Sequence, residues 1–290
     1  MRIDFEKLDK NFNYNPTLQK NGVEMYKSFI SKDKLDLLIS EIIPLFDNPI
    51  INSKYGSIWK GSRFLPGKKI LKTISNIQRI KSVNILEIAI DIANLLPNRK
   101  QVKLTNIEIV SEKNNSKKLM WHTDRRKGMI RAQIYLKGGK DNSGTFQYML
   151  NTHNIDHNVD HHLNDFEIKK LSDHIFDCIG KPGDLMIFDS FGFHGKKICN
   201  DERILLSLEF QPDYLIAEKS SIDINNLGLT KKVIDNLDIF IPNHATKNNC
   251  YTLNHGIDLE NKIYPISFIK KTFKVLIESY LLYFKKVKKK

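Results

Sequence analysis

Hydrophobic and polar positions change rhythm about a third of the way along the chain. In the segment NGVEMYKSFISKDKLDLLISEIIPLF, a strand-like run from Val23 to Phe29 comes first. Ser31 then stands where a helix N-cap belongs, with Asp33 in the first turn. Leu35, Leu38, Ile39 and Ile42 follow at helical spacing, and Pro44 is expected to end the helix. A second helix is predicted from Ser82 to about Leu96, with Leu86, Ala89, Ala93 and Leu96 on one face and Pro97 as the stop. From about residue 102 short alternating runs take over: 107–110, 119–124, 129–136, 145–150, 184–189 and 203–210. The turn sequences KGGKDNSG and GKPGD lie among them. Such spacing predicts an antiparallel sandwich or barrel.

Two stretches break the pattern. Residues 151–177 form a polar, histidine-rich insertion, read either as a lid over a site or as a mobile surface loop. Its histidines, His153, His157, His161, His162 and His174, match no zinc spacing and are expected to be exposed, with His153 placed to shape an active-site mouth. Residues 214–265 carry no clear periodicity. After them Ile269, Phe273, Leu276, Tyr280, Phe284 and Val287 form an apolar helical stripe flanked by lysines. The expected organisation is therefore a catalytic or binding domain over 1–213 and a C-terminal helical extension with a basic tail over 214–290.

Composition refines this. The 290 residues are 41% hydrophobic and 27% charged, an ordinary globular balance that argues against global disorder. The net charge is +13, but residues 266–290 carry eight lysines against one glutamate, an excess of +7 that leaves +6 for the rest. Charge concentrated in a tail argues against a nucleic-acid groove. It leaves open a peripheral membrane or protein contact through the basic helix, or simple packing of that helix on the body. The three cysteines are widely spaced, and no apolar run reaches the roughly 18–20 residues that cross a bilayer, so a cytoplasmic setting is expected.

Candidate chemistry centres on WHTD. His122 and Asp124 are two apart near the end of a predicted strand, so both side chains point to one face. His194, just after the run DLMIFD, can supply a third ligand. Two histidines and a carboxylate on one octahedral face leave three positions open, an arrangement suited to non-haem iron(II) handling O2 and a bidentate co-substrate. HxD alone is a weak signal; the later residues raise its weight. Arg203, nine residues after His194, shares a strand face with Leu205, Ser207 and Glu209, opposite Ile204, Leu206, Leu208 and Phe210. If the first face lines a barrel, Arg203 can grip a carboxylate with its fork of donors; otherwise it is a surface ion-pair residue.

The segment WHTDRRKGMIRAQIYLKGGKDNSGTFQYMLNTH resembles the core of the phytanoyl-CoA dioxygenase family, and GDLMIFDSFGFHGKK resembles that family's second histidine segment. The opening NGVEMYKSFISKDKLDLLISEI resembles its N-terminal strand and helix, so the likeness covers about residues 20–212. The resemblance implies a mainly β fold with flanking helices and a double-stranded β-helix (jelly-roll, cupin-like) core. It also implies that His122, Asp124 and His194 bind Fe(II) and that Arg203 pairs with the distal carboxylate of 2-oxoglutarate. The implied reaction is hydroxylation of a substrate C–H bond, coupled to conversion of 2-oxoglutarate and O2 to succinate and carbon dioxide. Asp124 favours hydroxylation over halogenation, because related halogenases replace this carboxylate. On the run MIRAQIYL, Arg131 and Gln133 share a polar face and become candidates to touch 2-oxoglutarate or substrate.

Three positions depart from the family pattern. The corner P-G-S-H is Leu150-Asn151-Thr152-His153, Thr145 replaces a proline, and Lys196 stands two after His194, where many members carry a small or hydroxylated residue. The alternatives weighed against the oxygenase are a catalytically silent jelly-roll binding protein, a nucleic-acid demethylase of the same superfamily, and a membrane-associated scaffold built on the C-terminal helix.

Overall fold

The computed structural model describes residues 8, 15–47, 57–59, 62–66, 85–97, 99–112, 119–124, 128–139, 144–155, 161–198, 201–212, 222–223, 230–240 and 250–251. The stretch expected to form the basic helix, 266–290, lies outside them.

Two antiparallel sheets make the core. The larger has the order β1 (Val23–Tyr26), β9 (Leu185–Asp189), β6 (Ile130–Lys137), β11 (Arg203–Pro212), β4 (Val102–Glu112), β3 (Ser62–Pro66) and β2 (Ser57–Trp59). The smaller runs β5 (Leu119–His122), β10 (His194–Lys196), β7 (Phe146–Met149) and β8 (Ile175–Cys178). A short pair, β12 (Ile222–Asp223) and β13 (Cys250–Tyr251), stands apart.

Strand parity explains the layers. On β11, Ile204, Leu206, Leu208 and Phe210 face outward into one buried cluster with Ala132, Ile134 and Leu136 of β6 and Leu185 and Ile187 of β9. This outer face is covered by α2 (Lys32–Asp47) through Leu35 and Leu38, and by α3 (Ile85–Ala93), which is buried on nearly every side. Val233, Ile239 and Phe240 join the same cluster, so residues 230–240 pack on the outer face of the large sheet. Lys103 Nζ donates to the Asp238 carbonyl at 2.7 Å and the Arg99 guanidinium pairs with Asp238, which ties that segment down. Leu104 and Ile107 reach this cluster although three apart. The ladder shifts register between Glu209 and Phe210, which face Asn106 and Leu104, a bulge that absorbs the odd residue.

The inner face carries the alternate residues. Val110, Tyr135, Met186, Phe188 and Leu205 of the large sheet meet Phe146, Tyr148 and Cys178 of the small one. The predicted jelly-roll core is therefore present, with Arg203, Arg131 and Gln133 on strands whose alternate residues line its interior.

Several local expectations are corrected. Pro44 lies inside α2, which continues to Asp47; a proline this close to the helix end forfeits one backbone bond, and the last turn still closes. His194 begins a strand, β10, that is too short for its alternation to show in sequence. The insertion is neither a free lid nor a plain loop over its described residues. It holds α4 (Asp165–Lys170), capped by Asn164 and Glu167 in a reciprocal capping box, and ends in β8. Its Ile155, Leu163 and Leu171 cover Trp121, Met149 and Phe193 on the outer face of the small sheet. His153 and His174 are buried rather than exposed, with His174 Nδ1 at 3.2 Å from the Leu150 carbonyl.

Asp184 fastens β1 to the turn before β9. Its carboxylate accepts from the Ser28 and Lys181 amides, both at 2.8 Å, and pairs with Lys27 at 3.2 Å. Burial pushes its carboxyl up, but these bonds outweigh burial and hold it below the usual carboxylate range. A depressed folded-state value stabilises the fold above the unfolded value, near 4, and the contribution is lost as pH falls through the folded value. Asp184→Asn is expected to cost about 2 kcal/mol at pH 7. In paired denaturant titrations the gap to wild type should shrink below about pH 4.

Candidate metal centre and active site

His122 ends β5 and His194 begins β10, and the ladder sets them directly opposite each other. Asp124 lies just past the end of β5, where its amide donates to the Ser190 carbonyl at 2.9 Å. One donor atom from each of His122, Asp124 and His194 lies within 4.8 Å of the other two. His122 Nε2 stands 3.9 Å from Asp124 Oδ1, and His194 Nε2 stands 4.0 Å from Oδ2.

The imidazoles are turned for ligation. His122 Nδ1 lies 2.8 Å from the Met120 carbonyl and His194 Nδ1 lies 2.9 Å from the Gly192 carbonyl. A carbonyl only accepts, so each Nδ1 carries the proton and each Nε2 presents its lone pair to the shared centre. Burial lowers both imidazoles, His194 to about 4, so they are neutral at pH 7. Burial alone would raise the Asp124 carboxyl, but the Arg131 guanidinium, with the two histidines and Ser190, holds it below its ordinary value.

Asp124 Oδ2 is buried and accepts no aligned hydrogen bond, although Arg131 Nε stands 3.2 Å away. Two neutral nitrogens and an under-satisfied carboxylate oxygen facing one point form the donor set of a divalent first-row metal. These residues fit iron(II).

The surroundings hold the ligands in place. Phe146 stacks on His194 with ring centres 5.6 Å apart, and Phe188 packs on it at 5.3 Å. On the other flank, residues 161–163 run antiparallel to β5. The Thr123 amide donates to the His161 carbonyl, the Leu163 amide donates to the Trp121 carbonyl, and His162 stacks on His122. The insertion thus braces the strand that carries the first ligand.

The other predicted residues divide. Arg131 sits beside the candidate ligand trio, against Asp124 and 3.6 Å from Glu209. Gln133 is buried farther along the interior, its Oε1 without a donor. Arg203 is buried at the far end of the same face, and its partner there is Glu112. Sequence reasoning missed Glu112. The run 107–110 was legible as a strand, and extending it by two residues places Glu112 on the inward parity of Val110. It also missed Gly192, whose signal is only its place two before His194.

No protein-family model matches the sequence, and no curated protein matches it. Solved structures do. The non-haem alpha-ketoglutarate-dependent epimerase SnoN from nogalamycin biosynthesis superposes with a TM-score of 0.55, at 12% identity, over 68% of this chain and 78% of that one. EctD from S. alaskensis, solved with 2-oxoglutarate and 5-hydroxyectoine, gives 0.55 at 16% identity over 70% and 76%. The carbocyclase SnoK from nogalamycin biosynthesis gives 0.51 at 10% identity over 68% and 81%. The chain therefore has the jelly-roll fold of non-haem 2-oxoglutarate-dependent enzymes. Among the described residues no helix is long and apolar enough to cross a membrane.

Gly192 has no room for a side chain. A Cβ there would overlap the Tyr148 hydroxyl, which donates to the Asp189 carbonyl at 2.9 Å. Gly192→Ala must move either Tyr148 or the carbonyl that orients His194. Titration with cobalt(II) is expected to show metal affinity reduced roughly 10- to 100-fold in a folded variant.

Proposed function

We propose that the protein is an iron(II)- and 2-oxoglutarate-dependent oxygenase of the phytanoyl-CoA dioxygenase type that hydroxylates a C–H bond of a small or carrier-linked molecule. The observation that carries this reading is the meeting of His122, Asp124 and His194 in the interior of this fold, with both imidazole lone pairs aimed at one centre. The structures of EctD with bound Fe and with 2-oxoglutarate support it as a fold-level analogy.

Iron(II) bound there would supply the oxidising chemistry, with O2 as oxidant and 2-oxoglutarate as the source of two electrons. The net change is 2-oxoglutarate, O2 and a C–H bond giving succinate, carbon dioxide and a C–OH group. Arg131 holds the Asp124 carboxylate in its ligating orientation. Phe146 and Phe188 press on His194 and keep water from its ring. Gln133 offers a buried amide midway along the interior face, placed to touch co-substrate or substrate. Arg203 supplies the guanidinium for the distal carboxylate of 2-oxoglutarate. Retention of Asp124 favours hydroxylation, whereas SnoN and SnoK show that this fold also carries an epimerase and a carbocyclase.

Anaerobic protein loaded with iron(II) is expected to develop a weak visible charge-transfer band on addition of 2-oxoglutarate. Asp124→Ala should abolish the band. Arg203→Ala should leave iron bound and raise the 2-oxoglutarate dissociation constant at least about tenfold. A folded, iron-loaded wild type without a band would instead identify a catalytically silent jelly-roll binding protein.

A further inference from the structure

The bulge in the ladder between β4 and β11 also places a side chain. Glu209 and Phe210 face Asn106 and Leu104, so Thr105 is the extra residue between them. Thr105 is buried, and its hydroxyl donates to Glu209 Oε1 at 3.1 Å. Gln211, two residues farther along β11, donates to the same oxygen through Nε2. One carboxylate oxygen of Glu209 is thus fixed by two donors. The other, Oε2, stands 3.6 Å from Nη2 of Arg131, the residue directly opposite on β6.

Arg131 stands between two carboxylates. Its Nε lies 3.2 Å from Asp124 Oδ2, yet the two are not aligned as a hydrogen bond. Arg203, on the same interior face, shows what an arginine does with a single carboxylate: Nε and Nη2 both close on Glu112. That side-on fork is the strongest pairing open to a guanidinium. Arg131 divides the same two nitrogens, Nε toward Asp124 and Nη2 toward Glu209. The difference matters to a metal. A guanidinium closed on Asp124 would compete for the lone pairs that the carboxylate gives to the ion, and would press a positive charge against it.

We propose that Glu209 is a positioning residue for the metal: by holding Nη2 of Arg131 it keeps the guanidinium from closing on Asp124, so that Oδ2 stays a ligand. The chain of command runs from the bulge to Thr105, to Glu209, to Arg131 and to Asp124. The proposal rests on the metal centre of the function proposed above, and not on the co-substrate or the substrate.

Titration of the metal-free protein with cobalt(II) tests it. Glu209→Gln keeps the shape of the side chain and removes its charge, and should weaken cobalt(II) about tenfold. In an Arg131→Met background the same substitution should change the affinity less than about twofold, because no guanidinium is left to restrain. Thr105→Val loosens Glu209 and keeps its charge. It should give a smaller loss that also vanishes with Arg131→Met. Within each background every other contact of residue 131 is common to the proteins compared. An equal loss in both backgrounds would make Glu209 a structural part of the interior, and an unchanged affinity in the wild-type background would show that Arg131 needs no restraint. Either result overturns the proposal while the metal centre stands. A wild type that binds no cobalt(II) overturns the metal centre itself, and this proposal with it.

Discussion

The register between β5 and β10 is the constraint on which the site depends. His194 faces His122 because the two strands pair in that phase and no other. Side chains alternate along a strand, so a slip by one residue would turn His194 out of the barrel and bring Gly195 or Phe193 to its place. Three independent contacts hold the phase. Phe146 and Phe188 enclose the His194 ring, the Gly192 carbonyl accepts a hydrogen bond from its Nδ1, and β7 pairs along the opposite edge of β10. A strand of three residues has few ladder bonds of its own, so its position is set by its neighbours.

The interior face then reads as a sequence of jobs along one direction. At one end Arg131 meets Asp124 and Glu209; Gln133 follows beside Ser207; Arg203 closes the row against Glu112. The charges are placed where they pair, and aromatic rings fill the ground between. Opposite parity on the same strands builds the apolar layer under α2 and α3. One alternation thus builds the apolar layer on one side and the polar, charged interior on the other.

Much of this was legible beforehand, for identifiable reasons. β6 and β11 run for eight or more residues, so period two alone grouped Arg131 with Gln133, and Arg203 with Ser207 and Glu209, while which face turned inward came from the packing of the sheets. His122 and Asp124 were found by spacing. What escaped lacked local pattern. β8 and β10 have four and three residues, too few for a period to emerge. Pro44 reads as a stop, yet α2 has only three residues left when it arrives. Glu112 is a carboxylate at the end of a long strand, and its meaning comes from Lys196 and Arg203, 84 and 91 residues away. The burial of His153 and His174 reflects packing of the insertion against the small sheet, which its polar composition conceals.

That packing has a consequence for the molecule among other molecules. β5 is one of the two edge strands of the small sheet, and an edge strand offers its free amides and carbonyls to any extended chain that drifts by. Here residues 161–163 take that place, with the Thr123 and Leu163 amides already spent on the chain's own backbone. The insertion therefore shields this edge from strand addition by a neighbour, at the spot where a foreign strand would also disturb the cluster of His122, Asp124 and His194.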